Sequence, residues 1–368
     1  MSTAHDAGLG ERLARRTLAL IDVPSVSGEE AALIALVREQ MPSTGWELVD
    51  AGDATLFFTP EVRRPGAPFV LLAGHMDTVP IAGNVPGLRE DGVIVGRGAA
   101  DMKGAIAVML ELAGALSEGL ASDLDVGLLF FGREELPITE SALLPLFERC
   151  AIARTVDLAL VMEPTDNAIQ VGCLGNLNAR VVVHGIAAHS ARPWLGENAI
   201  HAAIRALASV VDLPIRDVEI DGLTYREVVS VTTLHGGVAA NVVPDWVEAH
   251  VNYRYAPTHT PDEAEARLRE LLGHHPVDLE VIGNAPPGPV TVRDPLVGRL
   301  QRAADLAVEA KQAWTPVAEF AAVGVAAVNF GPGDPQYAHR DDERVEVASL
   351  VRCDAVLRAF LMGAPMEA

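Results

Sequence analysis

The chain has 368 residues, a formal net charge of −22 at neutral pH, 49% hydrophobic residues and 21% charged ones. That length exceeds a comfortable single core, so two domains are expected, and the apolar content excludes global disorder. The acidic balance argues against nucleic acid as a partner, because phosphate binding draws on Lys and Arg.

Met1 to Arg16 lacks the apolar stretch of a secretory signal. No apolar run approaches the ~20 residues of a membrane helix, so no membrane association is expected. Cys150, Cys173 and Cys353 are widely spaced and form no C-x-x-C pair. That disfavours a thiolate zinc site and fits a reducing, cytoplasmic setting.

Apolar positions at helical spacing predict helices over 9–22 and 29–41. Short apolar runs at 54–58, 68–73, 125–131 and 157–162 read as buried strands, with helical patterns at 103–118 and 141–149. Strands alternating with helices imply an α/β fold, a mixed, mostly parallel sheet covered by helices. The middle third differs. Val181–Val183, Val228–Leu234 and Trp246–Tyr255 read as strands of mixed polarity, and 197–211 and 261–272 as helices. The stretch Asn284-Ala285-Pro286-Pro287-Gly288-Pro289 is a break. We read 176–288 as an inserted α+β domain, with 1–175 and 289–368 forming the first domain. A helix near 296–310 and a strand near 325–330 complete it.

Metal-type residues sit mostly at the ends of these apolar runs. His75 and Asp77 follow Phe69–Gly74, Glu134 and Glu135 follow Leu128–Phe131, and Glu163 follows Leu158–Met162. In parallel sheets ligands bind at the carboxyl ends of strands. On a strand exit, residues i and i+2 share a side, so Asp77 can orient the His75 imidazole while His75 ligates. A hydrogen-bonded loop His is the other reading. Asp101 lies in the small-residue loop Gly98-Ala99-Ala100-Asp101-Met102-Lys103-Gly104, which lets backbone approach a ligand closely. Asp101 is a helix N-cap or a bridge between two cations. Two adjacent acids at an apolar strand end are costly unless paired or coordinating. One can bind metal while the other faces water. His339, in a polar loop after Gly331-Pro332-Gly333, gains weight only from the other five. Nitrogen and oxygen donors without thiolates suit zinc, with cobalt or manganese as substitutes.

With these motifs on the page, the chain resembles, over about residues 12–362, the di-zinc peptidases that include aminoacylases, acetylornithine deacetylase, glutamate carboxypeptidase and succinyl-diaminopimelate desuccinylase. Within that group it looks like the actinobacterial-type desuccinylases. The resemblance rests on Leu71–Pro80, Gly98–Lys103, Ala188-His189-Ser190-Ala191-Arg192, Ala240–Asp245 and Ala327–Pro335. It implies a zinc-exopeptidase-like fold whose inserted domain serves as lid and dimer interface. It implies two zinc ions per chain, one held by His75, Asp101 and Glu163, the other by Asp101, Glu135 and His339. Glu134 would be the general base and acid, and Asp77 would orient His75. The Asp101–Met102 peptide is expected to be cis. His189 would stabilise an oxyanion at a partner subunit's site, with Asn241 nearby, and Arg254 would clamp a substrate carboxylate. Arg192 and Thr315 are further candidates for binding an anionic N-acyl amino acid.

The implied reaction is removal of succinate from N-succinyl-L,L-diaminopimelate. Two readings compete: an N-acyl amino acid deacylase or carboxypeptidase of the same family, and a non-catalytic metal-binding dimer. No H-E-x-x-H segment supports a mononuclear zinc protease. The segment Trp314-Thr315-Pro316-Val317-Ala318-Glu319-Phe320 departs from the desuccinylase pattern, with Pro316 where that branch has an acid and Glu319 where it has a base. Gly132-Arg133 is a second departure.

Overall fold

The structure, a computed structural model, describes residues 2–364 and 366, with side chains described for 8–364 and 366. The chain divides into two compact units, one of residues 1–171, 291–309 and 319–368, the other of 172–290 and 310–318.

The first unit is built on an eight-stranded sheet. Its strands run in the order Trp46–Asp50, Thr55–Pro60, Asp125–Phe131, Phe69–His75, Leu158–Val161, Ala327–Asn329, Ile169–Val171, Val308–Ala310. The four in the middle, Asp125–Phe131 to Ala327–Asn329, are mutually parallel. Every residue of Phe69–His75 and of Asp125–Phe131 is buried. Such runs are continuous rather than alternating because helices cover the central strands. Each fully buried Leu or Val there contributes about 1.5–3 kcal/mol. Helices Ser2–Ile21, Gly104–Ser117 and Val347–Met362 pack on one another, and Pro295–Ala304 packs on the last of them.

The helix expected near 296–310 ends early, at Ala304. Pro295 at its first turn and the Asp294 carboxylate, which accepts Leu296 N–H at 2.8 Å, start it. Asp305 then takes a left-handed conformation, φ 48°, which stops it. Val308–Ala310 joins the sheet instead, so pairing overrides local helical preference.

The second unit has a five-stranded antiparallel sheet, ordered Arg216–Ile220, Leu223–Gly236, Trp246–Tyr255, Gly175–His184, Asp278–Ala285. Alternation is clean on its middle strands. Leu177, Ala179, Val181, Val251, Tyr253 and Tyr255 are buried with Leu207 and Val210 of helix Ala199–Val211 and Leu268 and Leu272 of helix Pro261–Leu272. Helix Pro261–Leu272 begins with a reciprocal cap between Thr260 and Glu263. The segment 310–318 is part of this unit. It is tied in by Gln312, which donates to the Thr224 carbonyl at 2.8 Å, and by the Trp314 indole, which donates to the Pro286 carbonyl at 3.0 Å. The three cysteines are buried free thiols.

Candidate metal centre

The parallel strands deliver their carboxyl ends to one place in the first unit. His75 is the last residue of its strand, Glu134 and Glu135 follow Phe131, Glu163 follows Val161, and the Ala327–Asn329 strand leads toward His339. The chain must come very close at Gly331: a Cβ there would lie 2.4 Å from the Met162 carbonyl and 2.5 Å from that of Glu163.

His75 is fully buried, and its Nε2 lies 2.8 Å from Asp101 Oδ1 and 3.8 Å from Glu163 Oε1. Its Nδ1 lies 3.0 Å from the Asp77 backbone carbonyl, with Asp77 Oδ1 at 3.6 Å. On this side the ring is oriented by the Asp77 main chain more closely than by its carboxylate. The carboxylate holds the acid pair instead. Its Oδ1 accepts the Glu134 N–H at 3.0 Å, and its Oδ2 accepts the Glu135 N–H at 3.1 Å and the Ser27 hydroxyl at 2.7 Å. The sequence showed Asp77 as a partner of His75. The second task, 57 residues downstream, was not legible there.

Asp101 lies in a short turn, 99–103, that precedes helix Gly104–Ser117. Asp101 and Met102 leave helical conformation there, and the peptide between them is cis. Its second carboxylate oxygen is 3.4 Å from His339 Nε2, which is also 3.0 Å from Glu135 Oε1. Gly98, beside Asp101, is needed for packing as well. Gly98 has φ +83°, and a Cβ there would lie 2.9 Å from Lys103 Cδ and 3.0 Å from Thr78 Cγ2. The protein's own side chains fill that space.

Two sets of donor atoms result, each within 4.8 Å: His75, Asp101 and Glu163, and Asp101, Glu135 and His339. Asp101 is common to both. A third set, His75, Glu134 and Glu135, places the Glu134 carboxyl beside them. The donors are imidazole and carboxylate without thiolate, which fits two divalent ions of the zinc, cobalt or manganese type. Charge gives the same answer. Burial, then Glu163, push the Glu134 carboxyl well above the ordinary range, against His75. For Asp101 burial acts upward, but hydrogen bonds from His339 and His75 outweigh it and hold the carboxyl well below that range. The His339 imidazole is pushed up to about 10 by Asp101 and Glu135. Four acids facing two imidazoles leave an excess of negative charge that cations would neutralise.

Two residues beyond those motifs brace this cluster. Glu343, 1% exposed, accepts the backbone N–H groups of Ala100 and Asp101, and Arg97, 3% exposed, binds Glu343 at 2.7 Å. Their one signal in the sequence is an Arg flanked by two glycines, Gly96-Arg97-Gly98, inside an otherwise uncharged stretch. Nothing near Glu343 marks its partner.

Residues 71–363 match the description Peptidase family M20/M25/M40. The chain belongs to this family. A Mycobacterium tuberculosis protein that carries the provisional name succinyl-diaminopimelate desuccinylase DapE is 40% identical, over 94% of this chain and 97% of that protein. Succinyl-diaminopimelate desuccinylase of Corynebacterium glutamicum is 35% identical, over 94% and 95%. Among solved structures, the aminopeptidase PepT of Bacillus cereus superposes with a TM-score of 0.76 at 21% identity, covering 96% of this chain and 98% of that one. The M20 family metallo-carboxypeptidase Sso-CP2 of Sulfolobus solfataricus gives 0.74 at 17% identity, covering 94% and 97%. The fold is therefore that of M20 zinc exopeptidases, and the chain is a hydrolase of that family.

The remaining candidate residues all fall in the second unit. His189 is exposed, in a two-residue strand paired with Val242–Val243, and its Nδ1 accepts the Ala191 N–H at 3.0 Å, which leaves the proton on Nε2 in the neutral ring. Asn241 and Arg192 are exposed; the Asn241 carbonyl accepts the Ser190 N–H at 2.9 Å. Arg254 is half-buried, and its Nε donates to the Asn252 carboxamide oxygen at 3.1 Å. Thr315 is buried, and its carbonyl faces the Cys173 thiol at 3.7 Å. In the first unit, Glu319 of the departing segment is 3% exposed and accepts the Ser141 hydroxyl at 2.5 Å. Burial pushes its carboxyl up to about 7. At the other departure, Arg133 adopts φ +61°, donates its N–H to Glu30 and pairs with Asp53 at 2.7 Å.

Proposed function

We propose that this enzyme cleaves the amide of N-succinyl-L,L-diaminopimelate, releasing succinate and the free amine, with His75, Asp101, Glu163, Glu135 and His339 as ligands and Glu134 as acid–base catalyst. The observation that carries this reading is the placement of Glu134: a carboxyl beside both donor sets, its backbone pinned by Asp77. The substrate class follows from the relatives named as desuccinylases.

Divalent ions at these ligands would supply polarisation of the scissile carbonyl and acidification of the attacking water. Glu134 takes the proton from that water and returns it to the leaving nitrogen. Asp77 keeps the Glu134 and Glu135 amides fixed while the proton moves. Arg254, whose Nε is held by Asn252, presents its two terminal nitrogens to a substrate carboxylate as a bidentate fork. We assign Arg192, Asn241 and Thr315 as further candidates for holding the anionic substrate, and the His189 Nε2 proton to the developing oxyanion at a partner subunit's site.

The second unit is the proposed dimer surface. Strand Arg216–Ile220 pairs only with 223–227 of the long strand Leu223–Gly236, so its 228–236 half has an open edge among the described residues. Leu234, Ile204, Val211 and Ile215 are exposed on this unit. An unpaired, partly apolar edge is a template for a second copy. No helix among the described residues is long and apolar enough to cross a membrane; a cytoplasmic homodimer is the proposal.

The test is a panel of N-succinyl and N-acetyl substrates assayed on the zinc- and cobalt-loaded enzyme. At least about a tenfold preference in kcat/KM for N-succinyl-L,L-diaminopimelate is expected, roughly 1.4 kcal/mol in transition-state binding. Equal or greater turnover of N-acetyl amino acids would replace this reading with the deacylase one. In the same assay Glu134→Gln should retain both metals and lose most turnover, by about 10²-fold or more. Full activity in that variant would exclude Glu134 as the base.

A further inference from the structure

We infer that the buried Arg97–Glu343 pair is a positioning element for the metal centre: it fixes the backbone that carries Asp101 and couples it to the loop that follows His75 and the loop that carries His339. This rests on the ligand reading given above.

Three segments meet at the pair. Glu343 Oε1 accepts two consecutive amides of the Asp101 turn, Ala100 N–H at 3.2 Å and Asp101 N–H at 3.1 Å. Glu343 Oε2 accepts Arg97 Nη1 at 2.7 Å. That same Nη1 donates to the Arg340 carbonyl, one residue past His339, at 3.1 Å. Arg97 Nε donates to the Pro80 carbonyl at 3.1 Å, in the loop that follows His75 and Asp77. The Glu343 main chain closes the ring by accepting the Gly96 N–H at 2.9 Å. A guanidinium suits this site because its donors lie in one rigid plane and reach separate acceptors.

A carboxylate is required opposite it. One oxygen receives two amides and the other a guanidinium, so both must accept. A Gln at 343 has one accepting oxygen and one donating nitrogen. Either way round, an N–H group would face an N–H donor in a buried site, leaving donors unmet. Outer partners of this kind set the orientation of ligands, and their loss typically weakens metal binding by about 10–100-fold. Because Asp101 belongs to both donor sets, the loss should appear at both sites together.

The experiment measures Zn²⁺ and Co²⁺ affinity of the full-length chain by competition with a chromophoric chelator, alongside the melting temperature of the metal-free protein. Glu343→Gln should bind both ions about 10–100-fold more weakly, with Arg97→Lys intermediate because it keeps charge but loses the fork. A merely structural role would lower the metal-free melting temperature and leave affinity unchanged. Unchanged affinity in folded Glu343→Gln, with Asp101→Asn deficient, overturns the inference alone. Unchanged affinity in Asp101→Asn overturns the ligand reading and this inference with it. If Glu343→Gln does not fold, the paired apolar replacement Arg97→Met with Glu343→Leu removes both charges at once and leaves neither one stranded. That double variant should fold and show the same weakened binding; wild-type affinity in it overturns the inference.

Discussion

Glu319 gives a prediction that does not depend on metals. Its carboxyl is 3% exposed, accepts the Ser141 hydroxyl, and is raised by burial from an ordinary 4.5 to about 7. In the unfolded chain it would ionise near its ordinary value. Between pH 4.5 and about 7 the native state therefore keeps a proton that the unfolded state has lost. Stability falls as pH rises wherever the native state binds more protons, so this group costs stability that accumulates across that interval and is constant above it. At about 1.4 kcal/mol per pH unit, the full cost is about 3 kcal/mol at pH 8 and under about 1 kcal/mol at pH 5. Glu319→Gln cannot ionise but still offers an oxygen to Ser141. It should raise the urea midpoint at pH 8, by up to about 3 kcal/mol in unfolding free energy, and change it little at pH 5. Paired denaturation curves at the two pH values decide. An equal effect at both, or a variant less stable at pH 8, would refute the reasoning.

Two further outcomes follow from the site. Asp77→Asn keeps the His75 contact with the main-chain carbonyl but loses one accepting oxygen for the Glu134 and Glu135 amides. Its kcat should fall about 10–100-fold while zinc content by elemental analysis stays near two per chain. Arg254→Ala should raise KM more than it lowers kcat, and succinate inhibition measured in the same steady-state assays should weaken by about tenfold or more. An unchanged inhibition constant would remove Arg254 from substrate binding.

The central strands were legible because burial on both faces writes them as unbroken apolar runs. Phe69–His75, Asp125–Phe131 and Leu158–Val161 fall within a residue or two of the expected positions. The polar residues that end them were equally plain, since His75, Glu134, Glu135 and Glu163 interrupt such runs abruptly. Short edge strands such as Leu88–Glu90 and Arg344–Glu346 were not read, because three residues carry no period. Helix Val347–Met362 was also missed. It is buried on most of its surface, with Asp354 fully buried and bonded to Arg358, so no polar face announces it. The Arg97–Glu343 pair joins residues 246 positions apart, and the glycines that flank Arg97 give no hint of its partner. Residues 310–318 belong to the second unit although they follow the inserted stretch by some distance, because Gln312 and Trp314 bond to it.

The strand Ala327–Asn329 has a consequence for how the protein is made. It lies inside the sheet, between Leu158–Val161 and Ile169–Val171, yet it is synthesised long after both. A nascent chain that has passed residue 163 already holds one complete trio of donors, whereas the other lacks its imidazole until residue 339 has been added. A fragment that ends between residues 171 and 327 lacks a strand in the middle of its sheet, and one that ends between 163 and 339 carries all three donors of one set but only two of the other.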